Sequence, residues 1–132
     1  MIFFWDKNTP KSIPLALRAL NVPVQVKFYK EIYPLSDNSP EGGDDKWLSE
    51  VGKWGWTVIS QDYHFHEREN ERYALNYYSV GCFYLWGAKA TKWEIMRCFA
   101  RAYDEIVEAA DNTPRPYIYW VSRTGKLTRQ PL

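Results

Sequence analysis

The sequence predicts an α/β fold, a three-layer α/β/α sandwich around a mainly parallel central sheet. Two short apolar, β-branched or aromatic runs, Ile2-Phe3-Phe4-Trp5 and Trp56-Thr57-Val58-Ile59-Ser60, are continuous rather than alternating. Such runs read as strands buried on both faces. Strand-like runs also alternate with stretches of helical apolar spacing, giving β-α-β-α-β-α-β-α-β, the order of a parallel sheet covered by helices. Right-handed crossovers are then expected. The chain of 132 residues suits a single domain, residues 1–132, large enough to bury a substantial core.

The elements follow in order. After the first strand, Pro10 and Pro14 allow a turn and a helix start. Ser12 is the expected N-cap, with Pro14 in the first turn where its missing N–H costs little. That helix is expected to run to about Asn21, with Ile13, Leu17 and Leu20 on its inner face. Val24 to Tyr29 reads as a second strand, and residues 30–43, with Pro34, Pro40 and Gly42-Gly43, as a long loop. Asp44-Asp45 precedes Trp47, Leu48, Val51 and Trp54, an apolar stripe at helical spacing. One Asp there serves as a cap, and an anionic residue at a helix start needs no function. The strand Trp56–Ser60 follows, then a charged helix from Glu67 to Tyr78 and a strand from Gly81 to Trp86.

Thr91-Lys92-Trp93-Glu94 fits a capping box. The helix behind it is expected to bury Trp93, Met96, Ala100, Tyr103, Val107 and Ala110. Its charges are reversed: Lys92, Arg97 and Arg101 come early, Asp104, Glu105 and Glu108 late, whereas the helix dipole favours the opposite order. Local pairing, such as Arg101 with Glu105, is the simpler account. A basic patch for a partner is the alternative. Tyr117 to Val121 makes a fifth strand, and Thr124-Gly125 turns the chain into a short last one, Lys126 to Thr128.

Composition narrows the function classes. A formal net charge of +1 sets up no global field that demands nucleic acid, so any such site is a local patch. Cys82 and Cys98 have no metal-type spacing and make no disulfide scaffold, so a reducing cytoplasm is expected. No membrane span or signal peptide is read. Seven Trp and ten Tyr exceed what a small core hides, which leads to an expectation of partner contact through exposed aromatics, in a homodimer or with another protein.

The chemistry lies with the acids. Asp6 and Asp62 each follow a buried run, at the carboxyl edge where open α/β sheets bind ligands. Asp44, entering on its helix, can reach the same edge. Either Asp could merely cap a turn; two in matching context favour a shared site. Clustered carboxylates hold protons unless a cation neutralises them, and hard oxygen ligands suit Mg²⁺ or Mn²⁺. Such an ion can polarise a phosphoryl oxygen and activate water. Lys7, Lys11 and Arg18 are placed to steer a phosphate backbone. His64-x-His66 lacks a third soft ligand for zinc, and His64 fits better as a hydrogen-bonding group in the acidic pocket. A Gly-rich phosphate loop and a nucleophile elbow are both missing. A receiver-like phosphoacceptor would want an acidic pair after the first strand, and a haloacid-type phosphatase would want Asp-x-Asp-x-Thr where Asp6-Lys7-Asn8-Thr9 stands.

Several segments resemble the PIN-like nucleases, notably the branch of VapC-type toxins from toxin–antitoxin pairs. They are Phe4-Trp5-Asp6-Lys7-Asn8, Asp44-Asp45-Lys46-Trp47-Leu48, Gly55 through Asp62, Asn70 through Leu75, and Pro116 through Val121. The resemblance implies a PIN-like fold and a Mg²⁺- or Mn²⁺-dependent ribonuclease acting on RNA phosphodiesters. It implies Asp6, Asp44 and Asp62 as catalytic metal ligands and an antitoxin protein as partner; Lys7, Asn8, Lys11 and His64 are the residues expected beside the substrate. The branch often carries a fourth acid where His64 stands; Glu71 or Asp45 is the replacement available. Without a fourth acid the resemblance is equally that of a catalytically inactive PIN-like binding or interaction module.

Overall fold

The computed structural model describes residues 1–34, 45–61, 69–87 and 89–132, with the backbone alone at residues 45 and 69–71. Its strands are β1 (Ile2–Trp5), β2 (Gln25–Phe28), β3 (Thr57–Ser60), β4 (Gly81–Leu85), β5 (Tyr117–Val121) and β6 (Leu127–Gln130). Its helices are α1 (Ser12–Ala19), α2 (Tyr29–Ile32), α3 (Asp45–Trp54), α4 (Glu69–Tyr77) and α5 (Lys92–Asn112). The strands form one sheet in the order β2-β1-β3-β4-β5-β6. All neighbours are parallel except β5 and β6. That exception follows from the short turn at Ser122–Gly125, where Gly125 adopts φ 89° and its N–H reaches the Ser122 carbonyl at 2.9 Å. A parallel pair would need a long crossover instead.

The two sheet faces carry separate cores, because successive residues of a strand point to opposite sides. Phe3, Trp5, Ile59, Phe83, Leu85, Tyr117 and Val121 pack with Ile13 and Leu17 of α1 and with Ile95, Phe99, Ala102 and Ile106 of α5. Phe4, Val58, Cys82, Tyr84 and Ile118 pack with Trp47, Leu48 and Val51 of α3 and with Ala74 and Leu75 of α4. This is the expected α/β/α sandwich. Burial, the main cause, pushes the Cys82 thiol well above its usual range, and Cys98 shifts the same way.

Several expectations are corrected. Ser12 does not cap α1: Lys11 already has helical backbone angles, with φ −61° and ψ −20°, and the cap position makes no side-chain bond. The helix ends at Ala19, and Leu20 is 74% exposed rather than on the inner face. Part of the expected loop is α2, which Phe28 starts from extended geometry and whose Tyr29 and Ile32 pack on the second core. The buried stripe of α5 is Ile95, Cys98, Phe99, Ala102 and Ile106, one step round the helix from the stripe expected. Trp93 is 68% exposed. The capping box forms as expected: Thr91 Oγ1 accepts from Glu94 N, and Glu94 Oε1 accepts from Thr91 N.

Exposed rings also sit on the α3–α4 side. Trp54 lies 4.7 Å from Trp56 between ring centres, and Tyr73 stacks on Tyr77 at 5.7 Å. No described helix is long and apolar enough to cross a membrane.

Candidate functional site

The strand order reverses between β1 and β3. From β1 the chain passes to β2 on one side, then returns to β3 on the other. Ligands in open α/β sheets bind outside the carboxyl ends of the strands at such a switch point. Asp6 is the first residue beyond β1 there. Its N–H still bonds the Ile59 carbonyl at 3.1 Å, so it is held in line with β3.

Asp6 is 3% exposed. Its Oδ2 accepts from Ser60 Oγ at 2.5 Å, and its Oδ1 accepts from the Asn8 N–H at 3.1 Å. Thr9 closes the turn, its Oγ1 donating to the Asp6 carbonyl at 2.7 Å. The register Trp5↔Ile59 is what brings the end of β3, and with it Ser60, alongside Asp6. A cavity of about 160 Å³ opens here, lined by Asp6, Lys7, Thr9, Lys11, Phe28, Tyr29 and Lys30. A carboxylate with both oxygens engaged is oriented as well as buried. The surrounding ammonium groups suit an anionic ligand.

The expected residues divide as follows. Asp6, Lys7 and Lys11 line this cavity. Asn8 contributes its main-chain N–H, while its side chain is exposed. Arg18 is not beside Asp6. It donates to the Val26 carbonyl and pairs with Glu31 at 2.6 Å, lining a separate open cavity of about 410 Å³ along β2. That hydrogen bond, the largest cause, lowers the Glu31 carboxyl and raises the Arg18 guanidinium. Asp44, Asp62 and His64 lie outside the described residues, as do the side chains of Asp45 and Glu71. Among the described residues, no three His, Cys, Asp or Glu side chains group in a way that could hold a metal ion.

The sequence reading missed four contributors. Ser60 and Thr9 tie Asp6 in place, Lys30 enters from α2, and Gln61 bonds the Gly87 carbonyl at 3.1 Å through Nε2. That last bond fastens the end of β3 to the start of the β4–α5 connection. A hydroxyl closing each buried run or turn was the available signal for Ser60 and Thr9; Lys30 and Gln61 carried none.

No curated protein matches the chain, and no solved structure does. A family model described as a PIN-like domain matches residues 1–87, from β1 through β4 and so across both strands of the switch point. With that match covering well over half of its 132 residues, the chain belongs to the PIN-like domain family.

Proposed function

We propose that the protein is a Mg²⁺- or Mn²⁺-dependent ribonuclease that hydrolyses RNA phosphodiester bonds, a VapC-type toxin that works in the cytoplasm against an antitoxin protein. The observation that carries this reading is Asp6, whose carboxylate is buried and hydrogen-bonded at both oxygens and which lines a cavity with Lys7, Lys11 and Lys30. Family membership supports it by pointing to a nuclease-type superfamily. The donor chemistry fits a hard divalent cation, since a carboxylate ligand oriented by outer hydrogen bonds is the usual arrangement. In this reading Asp6, Asp44 and Asp62 hold the ion, with Glu71 or Asp45 completing the set. Once bound, the ion supplies Lewis acidity and a lowered pKa for a bound water.

The chain's own residues do the rest. Ser60 and the Asn8 amide fix the direction of Asp6. Lys7 and Lys11 attract the phosphate backbone to the cavity mouth, and on this reading His64 would serve as a hydrogen-bonding group for the substrate.

The test compares wild type with Asp6→Asn and Asp62→Asn on a broad RNA panel in Mn²⁺, with melting curves for all three. Asn keeps the carboxylate shape but ligates a hard cation poorly, so cleavage should fall by orders of magnitude. Equal cleavage by wild type and variants would refute the assignment. Absence of cleavage by wild type as well would favour an inactive PIN-like binding module.

A further inference from the structure

The site around Asp6 makes no use of the reversed charge order of α5. Lys92, Arg97 and Arg101 lie in its first half, and Asp104, Glu105, Glu108 and Asp111 in its second, against the preference of the macrodipole. Local pairing does not account for it. Among the described residues, none of Lys89, Lys92, Arg97, Arg101 and Arg123 has a carboxylate at ion-pair distance. Arg101 instead donates to the Arg123 carbonyl at 3.4 Å, and the Arg123 guanidinium lies 5.5 Å from the ring centre of Trp86. Glu94, in the first turn of α5 beside Arg97, is engaged by the capping box. Its bonds to Thr91 are the main cause of a lowered carboxyl, and the nearby Arg123 and Arg97 cations add to it.

An exposed indole completes the surface. Trp93 stands on the side of α5 opposite Ile95, Ala102 and Ile106, and Arg97 follows it by one helical turn on the same side. α5 begins beyond the carboxyl end of β4, and Arg123 follows the carboxyl end of β5. The Gln61–Gly87 bond ties this region to the end of β3. The surface therefore starts from the same carboxyl edge of the sheet as Asp6, on the face that α1 and α5 cover.

We propose that this face is a single-stranded RNA subsite, in which Trp93 stacks on a base and Arg97, Arg101 and Arg123 hold the phosphates of the strand leading to Asp6. Cations with no carboxylate partner among the described residues match a phosphate backbone, and an exposed indole matches an unstacked base. A duplex keeps its base faces covered and offers none to Trp93. The ligand is named on the ribonuclease reading, but the test reads binding rather than cleavage.

The experiment uses the full chain carrying Asp6→Asn, so that bound RNA is not cut, and a fluorescein-labelled oligouridylate followed by anisotropy over a range of KCl concentrations. Adding Trp93→Ala should weaken binding about tenfold or more, the scale of one base–aromatic stack. Trp93→Phe should keep most of the affinity, because it keeps a ring. Arg97→Ala and Arg101→Ala should each flatten the slope of log affinity against log salt by about 0.7. Blunt duplex RNA should be indifferent to Trp93→Ala. Parental affinity and slope in Trp93→Ala and Arg97→Ala would overturn the subsite, while cleavage by wild type would leave the nuclease reading intact. No RNA binding by the parent together with no cleavage by wild type would overturn both, and leave the face to a protein partner.

Discussion

Replacing Ser60 by Ala removes the hydroxyl that donates to Asp6 Oδ2. Ser60 is 1% exposed and Asp6 3%, so water cannot readily substitute for the lost donor. A hydrogen bond to a charged group contributes about 1.5–3 kcal/mol. For 132 residues, an unfolding entropy of about 2.1 cal/mol/K per residue gives about 0.28 kcal/mol/K for the chain. The melting temperature should therefore fall by about 5–11 °C in chelator, read by circular dichroism. In an Asp6→Asn background, Ser60 meets a neutral amide and its bond is worth only about 0.5–1.5 kcal/mol. The double-mutant cycle should thus show a coupling of about 1 kcal/mol. If Asp6 ligates the metal, Ser60→Ala should also raise the Mn²⁺ concentration for half-maximal cleavage about 10–100-fold, as loss of an outer-shell partner does. Melting within about 2 °C of wild type, or the same loss in both backgrounds, would refute the claim that Ser60 anchors the Asp6 charge.

Four further outcomes are expected. Millimolar Mn²⁺ should stabilise the fold by linkage, by about 2.7 kcal/mol at a hundredfold excess over Kd, and Asp6→Asn should abolish the gain in a thermal melt. Gly81→Ala would place a Cβ 2.3–2.5 Å from ring atoms of buried Tyr117, so chemical denaturation should show a loss of about 1–3 kcal/mol or more. Thr91→Ala should cost about 1 kcal/mol as a lost helix cap. The carboxyl of Glu94 is lowered in the folded state, chiefly by its Thr91 hydrogen bonds. Its contribution is therefore present above the unfolded carboxylate pKa and is lost as pH falls through the folded value. Melts of wild type and Glu94→Gln should converge on acidification.

The reading of the sequence was strongest where a single local rule acts. Continuous apolar runs marked β1 and β3, because a strand covered on both faces has no polar side to show. The capping box of α5 was legible because all its partners lie within four residues, and the turn at Gly125 because a positive φ favours glycine. Even the placement of Asp6 at a strand end followed from its position after Trp5. Other features needed the tertiary structure. On α5 two neighbouring stripes are both apolar, and packing against Phe3 and Trp5 chose Ile95, Phe99, Ala102 and Ile106. Trp93 and Tyr103 sit more easily at the margin, since their rings tolerate water at a polar edge. Ser12 lost the cap because the backbone at Lys11 had already turned helical, a choice made by how α1 seats on the sheet. α2 spans only Tyr29–Ile32, too short to be stable by propensity and held by its contact with the second core. Above all, that Ser60 faces Asp6 across 54 positions of sequence depends on the pairing of β1 with β3. Strand register is set by long-range packing, and no local pattern in either segment encodes it.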